Sequence, residues 1–415
     1  MRVAIITAGS RGDVAPYTGL GHGLVRAGHE VTLVTHGCFE PLVAGSGVRF
    51  HALPVDPRAE LESGRGRGLH RSTTGAGKLI RVVGMARALV GQLADDLIEA
   101  ARVSDVLLLA ASVAPLGYAV AEGLSLPSMG VHLQPLAPTR EFAPPLTAVR
   151  SWGPTVNRAA GYGVNLAVDQ VFAATVRTLR TRLGLSGTGP GAAQRRRERQ
   201  GAPVFHGFSP LVVPRPADWR PGLDVSGYWW PYDGQEPQLP PALRDFLDAG
   251  PPPVFVGLGS ATVPDAERLS AEVVRALRAA GLRGVVQRGW GGLRAYGEDM
   301  CTVEEVPHAL LFPRMAAVVH HAGAGTTAAG LRAGVPAVPV PVQFDEGFWA
   351  ARLVRLGVAP RALPLRRLTT DTLTEALVRA TTDPSYERRA RSLAAGIRAE
   401  DGVGPVLDAV NRLAR

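Results

Sequence analysis

The sequence has few cysteines, a single lysine and no long apolar run. No apolar stretch among the 415 residues approaches the roughly 20 residues that a membrane-spanning helix needs, so we expect a protein that does not span a bilayer. The two cysteines, Cys38 and Cys301, lack the spacing of a zinc site or a redox pair. Because so few cysteines are typical of a reducing compartment, we expect a cytoplasmic protein.

Several ligand-binding and targeting motifs are also missing. No Walker A sequence is present, which argues against an ATP-driven enzyme. No GxGxxG occurs, and the strand after the first glycine turn ends in Thr35 and His36 without an acidic residue, so a dinucleotide site is disfavoured. Residues 1–13 hold a short apolar run that ends in a polar glycine turn, which predicts a first β-strand rather than a signal peptide.

The positive charge comes almost entirely from arginine. The net charge is +9, and Lys78 is the only lysine. Arginines cluster at 64–71 and 194–199, but no aromatic residues are interleaved to stack on bases. We therefore expect solvated loops and no nucleic-acid partner, with contact to an anionic membrane surface as the alternative.

Apolar β-branched runs alternate with helical patterns, which is typical of βα units in a parallel sheet. The first unit predicts a strand at 2–7, a helix from about Pro16 to Ala27 and a strand at 30–35. Further strands are predicted at 105–112, 126–133, 253–260, 284–288, 316–320 and 335–341. The fold class is therefore α/β, with two Rossmann-like parallel sheets.

The chain is long enough for two cores, and prolines mark the boundary between them. We expect an N-terminal domain at 1–215, a Pro-rich linker at 216–238 and a C-terminal domain at 239–398. A last helical segment at 399–415 is a candidate to pack back on the N-terminal domain.

The segment 320–336, HHAGAGTTAAGLRAGVP, predicts a diphosphate site. Gly323 and Gly325 fall between a strand and a helix, where the backbone can approach a ligand closely. The free N–H groups and dipole of the helix start favour an anion, and His321 and Thr326 add side-chain donors. Negative charge grows on the diphosphate when a sugar departs, so fixed donors there stabilise the transition state. The alternative is a glycine turn that only allows tight packing.

Together with VQFDEGFWAARLVRLGVAP (342–360), GSRGDVAP (9–16) and VGLGS (256–260), this segment resembles the bacterial and fungal branch of the family 1 glycosyltransferases. That branch includes sterol glucosyltransferases and enzymes that glycosylate antibiotics. The resemblance implies a GT-B fold with two domains facing across a cleft. The acceptor would bind to the N-terminal half and a nucleoside diphosphate (NDP) sugar to the C-terminal half.

The resemblance assigns donor-binding roles to individual residues. His321 would contact the diphosphate, with Gly323, Gly325 and Thr326 completing the cradle. Ser260 would face the diphosphate or the nucleoside.

Further donor contacts follow from two other motifs. The VPHALLFP segment (306–313) resembles the element that holds the pyrimidine through the backbone of Val306, and His308 and Trp290 either line that pocket or only pack. Where the family commonly has Asp-Gln on the sugar hydroxyls, this chain has Asp345 and Glu346. Because Glu346 lacks the amide donors of glutamine, the expectation of glucose is weakened, and the sugar is left open between glucose and a deoxyhexose.

The resemblance and the placement of GSRGDVAP make Asp13 the leading candidate for a catalytic base. It follows the first strand, at the carboxyl edge of the sheet where ligands of open α/β folds bind. Its alternative role is to cap the helix near Pro16. Arg11 is a candidate to reach the diphosphate, and His22 is the rival base.

These expectations amount to an inverting, metal-independent transfer of a sugar from a UDP- or dTDP-sugar to a hydroxyl of a lipophilic small molecule, such as an antibiotic, another polyketide or a sterol. No cofactor is expected, and the protein would be a monomer or a homodimer. Segments 58–80 and 136–200 would shape the acceptor pocket, with the aromatic residues Phe142, Trp152, Tyr162 and Phe172. The alternatives are a non-catalytic GT-B auxiliary or ligand-binding protein and an NDP-sugar epimerase.

Overall fold

The protein is described by a computed structural model over residues 1–54, 93–147, 151–185, 190–234 and 237–414. Two compact units form. The first comprises Met1–Pro210, Pro214–Gly234 and Asp401–Arg415, and the second comprises Leu211–Val213 and Gln235–Glu400. Each unit holds one parallel sheet, as the alternating pattern of strands and helices predicts.

The first unit contains a seven-stranded sheet with the order β3-β2-β1-β4-β5-β6-β7. Its strands are β1 Arg2–Ile6, β2 Glu30–His36, β3 Arg49–Leu53, β4 Val106–Leu109, β5 Ser128–His132, β6 Val204–His206 and β7 Leu223–Val225. Its helices include α1 Arg11–Arg26, α2 Ala114–Gly123, α3 Pro154–Arg182 and α4 Pro190–Arg199, and residues 93–102 are also helical. The central strands β1 and β4 are buried on both faces, which explains their continuous apolar sequences.

The second unit contains a five-stranded sheet with the order β10-β9-β8-β11-β12. Its strands are β8 Val254–Gly257, β9 Gly284–Gln287, β10 Met300–Val303, β11 Ala317–His320 and β12 Ala337–Pro339. Its helices are α5 Pro241–Asp248, α6 Ala266–Ala279, α7 His308–Leu311, α8 Ala324–Ala333, α9 Glu346–Arg355, α10 Thr370–Thr382 and α11 Pro384–Arg398. Among the described residues, 3₁₀ helices lie at Gly37–Val43 in the first unit and at Phe312–Arg314 and Leu365–Arg367 in the second.

The first helix begins earlier than Pro16, where the sequence predicts it. Helix α1 starts at Arg11, after Ser10, and Pro16 lies inside it. The reason is local: the Asp13 carboxylate in the first turn accepts the backbone N–H of Ser10 at 2.9 Å, which stabilises a helix start at this point. Asp13 therefore lies in the first turn of a helix, not on a loop.

The Pro-rich segment differs from a simple linker, because it contributes β7 to the first sheet. The last helix, α12 Gly404–Leu413, adds Val406 and Val410 to the core of the first unit. Trp229 connects these two stretches, since its indole N–H donates to the Gly402 carbonyl at 2.8 Å. Residues far apart in sequence thus complete the first unit.

One arginine cluster also differs from the expected solvated loop. Residues 194–199 lie in helix α4, where Arg196 donates to Glu122 at 2.6 Å and Arg197 lies 4.2 Å from the ring centre of Tyr118. Part of this positive charge therefore supports the fold. The cluster 64–71 and Lys78 lie outside the described residues. Among the helices in the described ranges, none is both long and apolar enough to cross a membrane.

Replacement of Gly19 by alanine is expected to destabilise the first unit. A Cβ built on Gly19 would lie 1.6 Å from the carbonyl oxygen of Trp230, and that oxygen belongs to the backbone and has little freedom to move. We expect a loss of about 1–3 kcal/mol in the free energy of unfolding, measured by urea denaturation. Gly163→Ala is the control, because a Cβ on that glycine of α3 meets no atom within 4 Å. Equal stability of the two variants would contradict the packing argument.

Candidate active site

The strand order reverses between β1 and β4 in the first sheet, so the loops that follow these strands diverge at this point. Such switch points are where open α/β sheets bind ligands. The two loops are in contact, since the backbone N–H of Ala8 donates to the Ser112 hydroxyl at 3.3 Å. The sequence GSRGDVAP begins in the first of these loops.

Asp13 has a fixed carboxylate at this edge. Its Oδ2 accepts the Ser10 backbone N–H at 2.9 Å and the Ser10 hydroxyl at 3.0 Å, and the Gln134 side chain also hydrogen-bonds it. Burial raises the pKa of Asp13 above its ordinary value, while these hydrogen bonds oppose the rise. A carboxylate that is oriented and made more basic by burial is suited to accept a proton.

Gly9 leaves room for the Asp13 carboxylate beside the backbone. Gly9 has a φ of +143°, and a Cβ there would lie 2.5 Å from Asp13 Oδ2. The Gly9 N–H donates to Nε2 of His36, at the end of β2, at 3.0 Å. A side chain at position 9 would therefore displace the carboxylate.

The other candidates on α1 are placed differently. His22, the rival base, bonds the Ser46 carbonyl through Nδ1 at 2.7 Å and packs on the Tyr232 ring at 4.8 Å, which is a structural role. Arg11 is exposed at the first position of the helix. Asp13 does engage the helix start, as the capping alternative expects, while it lies at the sheet edge where a base would be needed.

The second sheet has an equivalent reversal between β8 and β11. Here the VGLGS turn and the HAGAGT turn meet: a Cβ on Gly259 would lie 2.8 Å from His321 Cε1. A Cβ on Gly323 would lie 2.4 Å from His321 Nε2. The imidazole is thus enclosed between two glycines, one from each turn.

Burial lowers the pKa of His321 to about 4, so the ring is neutral at pH 7 and carries one N–H. Its Nδ1 is buried and has no hydrogen-bond partner among the described residues. Its neighbour His320 is used within the protein, because its Nδ1 accepts the N–H of Ala322 at 3.1 Å. Nε2 of His320 is also buried without a partner among the described residues, but His320 is 1% exposed whereas His321 is half-buried, so His321 is the more accessible of the two to a ligand.

Helix α8 starts directly after His321, with Gly323 as its N-cap. The N–H groups of a first helical turn lack partners within the helix and carry the positive end of its dipole. Gly325 in this turn is exposed and Thr326 is half-buried, so both are accessible to a ligand. Together with His321 this arrangement fits an anion such as a diphosphate.

The remaining donor-side candidates fall into two groups. Ser260 and Trp290 are half-buried, and the backbone N–H of Trp290 donates to the Gly259 carbonyl at 3.0 Å. Val306 belongs to a hydrophobic cluster of the second unit, and His308 stacks on Phe312 at 4.3 Å. Of the two roles considered for His308, lining the pyrimidine pocket or packing, the ring stacking agrees with packing.

Asp345 and Glu346 hydrogen-bond their own segment. Asp345 Oδ2 accepts the indole N–H of Trp349 at 2.7 Å. Glu346 is 5% exposed, and its Oε2 accepts the backbone N–H groups of Val342 and Gln343 at 2.5 and 2.7 Å. This arrangement gives Glu346 a role in holding the turn before α9, a role that its sequence position did not predict.

The four aromatic acceptor candidates do not share one environment. Phe172 is in the hydrophobic core of the first unit, and Phe142 is buried. Trp152 and Tyr162 are 51% and 55% exposed. Phe172 therefore packs the core, and of the four only Trp152 and Tyr162 present a surface. Segment 58–80 lies outside the described residues.

Sequence reasoning missed Ser10, Gln134 and His36 as partners of the Asp13 loop. A signal for them was present, because Gln134 and His36 each stand at or just after the end of a predicted strand. Carboxyl ends of parallel strands lie at one edge of a sheet, so such polar residues converge with Asp13.

Comparisons with known proteins agree with this geometry. Residues 3–142 match the family described as the glycosyltransferase family 28 N-terminal domain, and residues 262–409 match the erythromycin biosynthesis protein CIII-like C-terminal domain. Sterol 3-beta-glucosyltransferase UGT80B1 of Arabidopsis thaliana is 32% identical, over 99% of this chain and 68% of that protein. O-mycaminosyltylonolide 6-deoxyallosyltransferase of Streptomyces fradiae is 37% identical, over 97% of this chain and 95% of that protein.

Solved structures show the same fold over the whole chain. The spinosyn forosaminyltransferase SpnP superposes with a TM-score of 0.71 at 18% identity, covering 100% of both chains. The Streptomyces sp. SF2575 glycosyltransferase SsfS6, complexed with thymidine diphosphate, gives a TM-score of 0.65 at 21% identity and covers 99% of each chain. The fold is GT-B, and the chain belongs to the glycosyltransferase family that includes the sterol glucosyltransferases and the antibiotic glycosyltransferases.

Proposed function

We propose that the chain is an inverting glycosyltransferase that moves a sugar from a UDP- or dTDP-sugar to a hydroxyl of a lipophilic small molecule. The observation that carries the proposal is the cradle of the second unit, where a neutral, enclosed His321 adjoins the start of α8 at the reversal point of the sheet. Fixed donors at this point fit a leaving diphosphate better than a neutral ligand.

Asp13 acts as the general base in this proposal. It takes the proton of the acceptor hydroxyl while that oxygen forms a bond to the anomeric carbon. The bond from the anomeric carbon to the diphosphate oxygen breaks in the same step, so the configuration of the carbon inverts. The electron pair leaves with the diphosphate, whose growing charge is stabilised by His321 and the N–H groups of α8.

Acceptor and sugar follow from the relatives and from the exposed aromatic residues. One relative is named for a sterol and glucose, the other for a tylonolide derivative and 6-deoxyallose, so both names pair a lipophilic acceptor with a hexose or deoxyhexose. Trp152 and Tyr162 offer apolar surface in the first unit. We assign a polyketide antibiotic as the first acceptor class and a sterol as the second. Cys38 and Cys301 are free thiols, which fits a cytoplasmic location.

A transfer assay tests the proposal. The full chain is incubated with UDP-glucose, dTDP-glucose or a dTDP-deoxyhexose and with a panel of polyketide aglycones and sterols. Product masses are measured by mass spectrometry, and the anomeric configuration of the products is determined by NMR. We expect one added sugar, a β-linked product from an α-linked donor, and the same rate with and without EDTA because the cradle supplies the positive potential.

The other outcomes identify the rival functions. Conversion of the donor sugar to an isomer without any acceptor would indicate an epimerase. Binding of donors without turnover across the panel would indicate a non-catalytic auxiliary protein, and loss of activity in EDTA would overturn metal independence.

A further inference from the structure

A group of potential metal ligands in the first unit includes neither Asp13 nor its hydrogen-bond partner Ser10. His51 is in β3, the edge strand of the sheet, and Asp96 and Glu99 are in the helical segment 93–102. Each residue offers one ligand atom, and these three atoms all lie within 4.8 Å of one another. Asp96 and Glu99 are three positions apart, so they share one face of the helix.

One ring nitrogen of His51 lacks a hydrogen-bond partner in the part of the chain that the structure describes. This atom, Nε2, is shielded from solvent. A buried polar atom without a partner is costly, so such atoms are usually satisfied by a bound water or ion. The two carboxylates nearby make a cation the better fit.

Two arginines of the described residues, Arg49 and Arg182, form ion pairs with carboxylates other than Asp96 and Glu99. Arg49, which shares a strand face with His51, forms its ion pair with Glu30, and Arg182 forms its ion pair with Asp95. Among the described residues no ion pair joins Asp96 or Glu99 to a basic side chain. Two like charges one helical turn apart repel each other, and a bound cation would remove that repulsion.

We propose that His51, Asp96 and Glu99 form a binding site for a divalent transition metal, with Zn²⁺ as the probe. One imidazole nitrogen and two carboxylates are ligands that zinc accepts, while calcium and magnesium favour sites made of oxygen alone. Zinc bonds to such ligands at roughly 2.0–2.2 Å, so the side chains close inward when it binds. Water fills the fourth position.

The site would tie the edge strand to the helix. Because β2 is the one strand that pairs with β3 among the described strands, a bond from His51 to the helix would add a second attachment for β3. Binding to the folded state raises stability by mass action. The site shares no residue with the proposed catalytic machinery, since Asp13 belongs to α1 and His51 to β3.

Calorimetric titration of the metal-free full chain with ZnCl₂, together with thermal unfolding with and without ZnCl₂, tests the proposal. We expect the wild type to bind one more zinc ion than Glu99→Gln and His51→Gln, or to bind it at least about tenfold more tightly, and to show a zinc-dependent rise in Tm that both variants lack. Glu40→Gln, which changes another exposed carboxylate of the same unit, is the control and should behave as the wild type.

Glu99 is exposed, so its variant keeps the test decisive if His51→Gln fails to fold. The proposal is overturned if Glu99→Gln matches the wild type in stoichiometry, affinity and Tm shift. It is also overturned if the wild type binds no zinc, since His51 then interacts only with the carboxylates or with water. Neither result depends on transferase activity, so the proposed function stands or falls separately.

Discussion

Replacement of Asp13 by asparagine is expected to lower kcat by about 10²- to 10⁴-fold, the range usual for loss of a general base. Asparagine keeps the size of the side chain, and its carbonyl oxygen can still accept the Ser10 N–H, so the start of α1 should persist. What it loses is the ability to take a proton. Steady-state kinetics with the best donor and acceptor from the transfer assay measure the effect.

The pH profile of the wild type gives a second readout of the same group. A base works only when ionised, so the rate falls as the pH drops through the pKa of Asp13. Because burial raises that pKa, the acid limb of kcat/KM should lie at higher pH than for an exposed carboxylate. The limb should disappear from the residual activity of Asp13→Asn.

Two control measurements test whether the loss of turnover in Asp13→Asn is due to loss of the base. Binding of UDP or dTDP should be nearly unchanged in Asp13→Asn, because the cradle consists of residues of the second unit. Asp224→Asn, at an exposed carboxylate of β7 in the same unit, should keep wild-type turnover. Wild-type turnover in Asp13→Asn would remove Asp13 as the base.

The sequence predicted the βα framework well because its signals are local. Runs such as Val3 to Ile6 are apolar and mostly buried, and a glycine-containing turn follows β1, β8 and β11. Since strand ends and glycine turns mark ligand sites in this class of fold, spacing and resemblance led to the prediction that Asp13 and His321 are site residues.

Strand β7, the burial of Phe172 and the hydrogen bonds of Glu346 depend on pairing, packing and a local turn, which the sequence motifs do not specify. Strand β7 is only three residues long, and it exists because Leu223 pairs with Val204. Phe172 has a helical pattern around it that is compatible with either a pocket or a core, and packing places it in the core. The hydrogen bonds of Glu346 to Val342 and Gln343 depend on how the chain turns before α9, which no motif encodes.

Replacement of Gly323 by alanine is expected to reduce kcat/KM for the sugar donor by about 10²- to 10³-fold. Loss of one hydrogen-bond donor to the transition state has an effect of this size in other enzymes. The added Cβ would lie 2.4 Å from His321 Nε2, and Gly259 closes the opposite side of the ring. The imidazole therefore has to leave its position, and the cradle loses its side-chain donor. Donor kinetics and calorimetric binding of UDP and dTDP measure the loss.

Variants at Gly330 and His321 distinguish displacement of the His321 ring from a general disturbance of α8. Gly330→Ala, also in α8, adds a Cβ that meets no atom within 4 Å and should keep wild-type donor kinetics. If Gly323→Ala acts by displacing His321, then the double variant with His321→Ala should be no worse than His321→Ala alone. Additive losses would mean instead that the backbone at Gly323 contacts the diphosphate directly, and wild-type kinetics in Gly323→Ala would place the diphosphate elsewhere.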